Sequence, residues 1–215
     1  MSAQPDVESS SASDAHEGGF RPTFDVSTER GGPNYGKFVG QVREFMDRVR
    51  AALPSAELTD ELLADLKSMN AKLVDFETDE WTSPSGTRID LPARGNITLP
   101  PYDIVDAGPD GVDATITFTR FNLGGNGAAH GGFVALLFDD LGGMAAALNI
   151  EGICRTAYLK IDYRSLTPLN SELAVRCWVD RVEGRKVYVR GTLHEGDRLC
   201  AEMDALFIKL KPGQP

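Results

Sequence analysis

A chain of 215 residues with a net charge of −10 and a hydrophobic share of 41% can bury one sizeable core, yet it offers no basic footprint for nucleic acid. Its three cysteines, Cys154, Cys177 and Cys200, are widely spaced in apolar runs. That excludes a disulfide framework and any Cys/His zinc spacing, and it suits reduced core thiols in a cytoplasmic protein, with a reactive free thiol as the alternative.

Residues 1–35 are rich in Ser, Gly, Pro and acids, and they lack the basic region and apolar run of a signal peptide, so a disordered tail is expected. Phe38, Val42, Phe45, Val49 and Leu53 then recur at helical spacing up to Pro54. A second stripe, Leu62, Leu66, Met69 and Leu73, follows Thr59 as the expected N-cap. Acids at Glu57, Asp60, Glu61 and Asp65 would repel a phosphate backbone, so the pair reads as a packing appendage instead of a DNA-binding motif. With the Pro- and Gly-containing loop that follows, it makes a helical extension over 36–99.

From residue 100 the period changes to alternation. Tyr102 to Ala107 and Val112 to Phe118 read as strands around a Gly108–Gly111 turn. Beyond residue 150 come four more: an inward set Ala157, Leu159, Ile161, Tyr163, then Leu173 to Val179, Val187 to Leu193, and Leu199 to Phe207. Short turns suggest antiparallel neighbours in sequential order. Between the two groups of strands lies FNLGGNGAAHGGFVALLFDDLGGMAAAL, from Phe121 to Leu148, a glycine-rich loop running into one long apolar helix. No apolar segment is expected to reach the length of a membrane span. The class is α+β: a curved antiparallel sheet of about six strands wrapped around one central helix, over residues 100–211.

The helix carries two carboxylates, Asp139 and Asp140, inside its apolar run. Asp139 shares a stripe with Gly132, Ala135, Gly142, Gly143 and Ala146. Two adjacent glycines cost roughly 1 kcal/mol each relative to alanine, so either another backbone packs closely there or a ligand or partner helix approaches along the stripe. A carboxylate on a buried face needs a partner or a task.

His130-Gly131-Gly132 with an acid at Asp139, Thr156 to Tyr163 (TAYLKIDY), Val182 to Lys186 (VEGRK) and Ala205 to Leu210 (ALFIKL) resemble the hotdog-fold acyl-CoA thioesterases of the phenylacetate-type group in the 4-hydroxybenzoyl-CoA thioesterase superfamily, nearest to the animal long-chain enzymes. The resemblance implies the hotdog fold and hydrolysis of an acyl-CoA to free acid and coenzyme A, with no cofactor beyond the coenzyme A of the substrate and no metal. It implies Asp139 as nucleophile or general base, Thr156 holding the attacking water, the N–H of Gly131 or Gly132 as oxyanion donor, and His130 as an orienting residue. Relatives often carry Asn six residues before the histidine; here that position is Gly124, flanked by Asn122 and Asn126, either of which could substitute. Arg185 and Lys186 are candidates for the coenzyme A phosphates, against the ordinary reading of a solvated turn.

Plain geometry adds a constraint. Gly131 and Asp139 are separated by about 12 Å on one helix at ~1.5 Å per residue, so one carbonyl cannot touch both. If both act on one thioester, one must come from a second copy, as a homodimer or dimer of dimers with the site at the subunit interface. Alternatives stay open. Asp140 could act in place of Asp139, His130 could be a structural helix-start residue, and Thr156 an ordinary strand residue. The protein could bind acyl-CoA without turnover, as a sensor, or act as a hydratase or dehydratase on the same fold.

Overall fold

The computed structural model describes residues 26–211. Two helices, α1 (Tyr35–Ala51) and α2 (Ala56–Ala71), precede strands β1 (Asp103–Gly108) and β2 (Gly111–Thr117). A small hairpin of β3 (Leu123–Gly125) and β4 (Ala128–Ala129) leads into α3 (Gly131–Asn149), and β5 (Cys154–Tyr163), β6 (Glu172–Glu183), β7 (Lys186–Glu195) and β8 (Arg198–Lys209) complete the chain. Six strands form one antiparallel sheet in the order β1-β2-β6-β7-β8-β5. α3 packs along the concave face, burying Val134, Leu137, Phe138, Leu141 and Ala145 against Val175, Cys177, Val189, Ala205 and Phe207. This is the hotdog arrangement expected from the alternation.

Strand order departs from simple succession. β5 does not pair with β6: it crosses to the far edge against β8, and β6 pairs with β2 instead. The segment between β5 and β6, residues 164–171, is long enough to carry the chain away, which a tight hairpin would forbid. The stretch before α3 is also more ordered than a loop, because Asn126 and Gly127 both adopt positive φ (49° and 76°) and close the β3–β4 hairpin as a two-residue turn.

The first glycine of the pair in α3 has a local cause. A Cβ on Gly142 would stand 3.2 Å from the Phe207 ring and 3.3 Å from Met203, so the missing side chain lets β8 pack closely on the helix. Gly191 does the same for Phe138, whose ring a Cβ there would meet at 3.0 Å. At 19 residues and mean hydropathy 1.4, α3 does meet the length and apolarity of a membrane span, contrary to expectation, but here that apolarity is spent on the protein core. The thiols are core groups as well: Cys177 is fully buried, and burial pushes its pKa up to about 12.

The expected tail falls mostly on residues 1–25, which lie outside the described residues. Residues 26–34 are placed in the structure. Ser27 bridges Arg88, and buried Arg88 donates to the carbonyls of Arg30 (2.6 Å) and Gly32 (3.3 Å) while pairing with Asp90. α1 docks through a face other than the expected stripe. Only Val39 is fully buried, Phe38 and Val49 stay exposed, and polar groups make the joints. Arg43 donates to the Asn96 carbonyl (2.7 Å), and Asp47 accepts the Phe121 N–H (2.6 Å). α2 starts four residues earlier than expected, capped by Ser55, whose hydroxyl accepts the Leu58 N–H at 3.2 Å. None of its residues is buried.

Candidate active site

Thr156 and Asp139 meet. The Thr156 hydroxyl donates to Asp139 Oδ1 at 2.8 Å, joining β5 to the middle of α3. What turns Thr156 toward the helix is a β-bulge. Thr156 pairs with Phe207 but Tyr158 with Leu206, so Ala157 is the extra residue. Without the bulge Ala157 would face inward, as the alternation suggested; with it, Thr156, Leu159 and Ile161 share the α3 side and Ala157 is exposed. Among the described residues Asp139 Oδ2 has no hydrogen-bond partner, which leaves one carboxylate oxygen for a water or substrate.

The start of α3 holds the second group of candidates. His130 is the N-cap, in extended backbone (ψ 131°), and its Nδ1 accepts the Gly132 N–H at 2.9 Å. That bond places the ring proton on Nε2. It also separates two donors that the sequence could not tell apart. The Gly132 N–H is committed, whereas the Gly131 N–H has no acceptor among the described residues, at the positive end of the helix dipole. Tyr163 closes the other side by donating to the Gly131 carbonyl at 2.8 Å, a contact no motif indicated.

The two asparagines stand in different surroundings. Asn122 is buried; its Oδ1 accepts the Thr119 N–H (2.9 Å) and its carbonyl accepts the His130 N–H (2.7 Å), so it builds the turn that aims His130. Asn126 sits exposed at the hairpin turn. Gly124 explains the departure from the family pattern: a Cβ there would lie 2.8 Å from His130 Cα, and no side chain fits. The Asn122 side chain is thus committed within the protein and does not replace the missing one at position 124.

Asp140 has a structural partner. Arg94 donates to both of its oxygens (2.8 and 3.1 Å), and the buried Tyr102 hydroxyl donates to Oδ2. Burial and the neighbouring Asp140 charge push the Tyr102 pKa up. Arg94 reaches Asp140 from a strained turn in which Ala93 and Arg94 both have positive φ (48° and 56°), held by the Ala93 N–H on the Tyr102 carbonyl at 2.8 Å. Asp139 and Asp140 project about 100° apart, so their partners on opposite sides fix the rotation of α3. Replacing Arg94 by Met strands the Asp140 carboxylate; we expect about 3 kcal/mol of lost stability, read as a lower urea midpoint.

Positive charge gathers at one end of the sheet. Register aligns Arg155, Ile208 and Lys186 in one row and Thr156, Phe207 and Val187 in the next. Since Phe207 and Val187 face α3, Arg155 and Lys186 emerge on the opposite face, one residue along from the Thr156 row and two strand spacings (about 10 Å) from each other. Arg185 donates to the Lys209 carbonyl at 2.9 Å. Among the described residues no three His, Cys, Asp or Glu side chains are grouped to hold a metal ion.

A helix-wrapped sheet with a paired acid and hydroxyl at mid-helix and a bare amide at the helix start defines a class. Residues 126–202, from the hairpin before α3 into β8, match the family model described as "Thioesterase superfamily". Among particular relatives, the chain is 42% identical over 91 residues to acyl-coenzyme A thioesterase THEM4 of Rattus norvegicus, covering 41% of this chain and 39% of the rat protein. It is 30% identical over 87 residues to acyl-coenzyme A thioesterase THEM5 of Homo sapiens, covering 40% of this chain and 35% of the human one. The matches thus span about two fifths of the length of these curated relatives. A solved thioesterase superfamily protein superposes with a TM-score of 0.71 at 23% identity, over 85% of this chain and 98% of that one. The likeness of fold therefore extends beyond the hotdog domain into the helices before it.

Proposed function

We propose that the protein hydrolyses an acyl-CoA thioester to the free acid and coenzyme A, in a site shared by two copies of the chain. The observation that carries this reading is the pairing of Asp139 with Thr156 beside an edge of the sheet that has no strand partner among the described residues. Two β5 strands meeting edge to edge would complete the sheet and bring two α3 helices side by side. Asp139 of one subunit then approaches Gly131 of the partner subunit, which resolves the ~12 Å gap within a single helix.

In this arrangement the thioester carbonyl oxygen accepts the free Gly131 N–H at the positive helix end. The unpartnered oxygen of Asp139 takes a proton from a water oriented by Thr156, and that water attacks the carbonyl carbon. Collapse of the tetrahedral oxyanion breaks the C–S bond, the coenzyme A sulfur takes the proton back, and the acid leaves. Direct attack by the carboxylate, followed by hydrolysis of the anhydride, uses the same groups. His130 keeps the Gly132 N–H occupied and so singles out Gly131. Arg185, Lys186 and Arg155 supply cationic partners for the coenzyme A phosphates.

The test is thiol release from acyl-CoAs of graded length, with coenzyme A ester binding and solution mass measured on the same sample. Release by a dimeric or larger particle supports the proposal. Binding without release makes the protein a sensor, and turnover by a monomer removes the shared site.

A further inference from the structure

A cavity of about 60 Å³ lies between α1 and the start of α3, walled by Met46, Ile97, Leu99, Pro101, Phe121 and Phe133. We infer that it receives the terminal carbons of the substrate's acyl group, so that the N-terminal extension sets chain-length preference; the inference rests on the thioesterase reading above.

Its lining decides the chemistry. The polar side chains at its wall are spoken for within the protein: Arg43 by the Asn96 carbonyl (2.7 Å), Asp47 by the Phe121 N–H (2.6 Å), Asn122 by the Thr119 N–H (2.9 Å), and the Thr98 and Thr119 hydroxyls by the side-chain oxygens of Asn96 (2.8 Å) and Asn122 (3.4 Å). Most of what faces the void is aliphatic and aromatic, a surface that holds hydrocarbon better than water.

Its position decides the ligand. Phe133 is on the first turn of α3, two residues past the bare Gly131 amide, and its ring lies 5.5 Å from that of Phe121 and 6.5 Å from that of His130. Asn122, part of the same wall, holds the His130 N–H. A carbonyl resting on Gly131 therefore has an apolar void beside it, closed on its far side by α1. A dry cavity of roughly 150 Å³ holds a benzene ring; this one has room for about two or three carbons of a chain end.

Met46 is the residue to vary, because it reaches the cavity from α1 and makes no hydrogen bond. The kcat/KM of the wild type, plotted against acyl length, should rise roughly three- to fivefold per methylene until the cavity is full, and then fall. Met46→Trp fills the space and moves the peak to shorter chains; Met46→Ala opens it and moves the peak to longer ones. Opposite shifts from one position are not a product of general destabilisation. Peaks unmoved in both variants overturn the subsite while leaving the thioesterase reading intact. A wild-type protein that releases no thiol from any acyl-CoA overturns both.

Discussion

The Asp139→Asn protein should retain coenzyme A esters and release thiol about 10³-fold more slowly than the wild type, or less. Asparagine keeps an oxygen to accept the Thr156 hydroxyl, which donates to Asp139 Oδ1 at 2.8 Å, so the fold and the bulge are undisturbed. What is lost is the basic oxygen. The Thr156→Ala change removes only the hydroxyl that holds Asp139, and a loss of about tenfold in kcat is expected. Single-turnover thiol release, with binding followed separately, reads both. A fully active Asp139→Asn protein would rule this carboxylate out as base or nucleophile, and Asp140 is a poor replacement because Arg94 and Tyr102 already hold it.

Mixing two dead variants should restore activity. Gly131→Pro deletes the proposed oxyanion donor at the one helical position where proline is well accepted. The backbone permits it, since the preceding His130 is extended at φ −66° and ψ 131°, as a residue before proline must be. Its Cβ would come 2.8 Å from the Tyr163 hydroxyl, the tip of a half-exposed side chain that can swing aside. Alone, this variant should fall by about 10²- to 10³-fold. Unfolded and refolded with Asp139→Asn, it forms mixed dimers in which one site has both wild-type groups and the other has neither. Random pairing makes half of the dimers mixed, so about a quarter of wild-type activity should return. A site contained within one chain would stay dead at every mixing ratio.

Much of this architecture could be read directly. Alternation in Val112–Phe118 and Leu173–Val179 marked strands buried on one face, and the apolar run after His130 could only be the central helix. What escaped depends on contacts distant in sequence or on single-residue slips. The bulge at Ala157 inverts the facing of Thr156, and period-two reasoning cannot see an inserted residue. The destination of β5 was hidden because pairing with β8 is settled by the whole sheet. Of the neighbouring acids, only the structure shows that Arg94, 46 residues earlier, claims Asp140 and leaves Asp139 to Thr156. The choice between Gly131 and Gly132 rested on where the His130 Nδ1 points.

The modular joint of this molecule is not where the composition changes. A cut near residue 100 would take away Arg94 and the Asp47 carboxylate, abandoning Asp140 and the Phe121 amide. The seam lies instead at Ala52–Ser55, past the last turn of α1. Everything from Ser27 to Ala51 belongs to the body of the protein, while the arm Ala56–Ala71 can be exchanged or redesigned without leaving an ion stranded inside the protein.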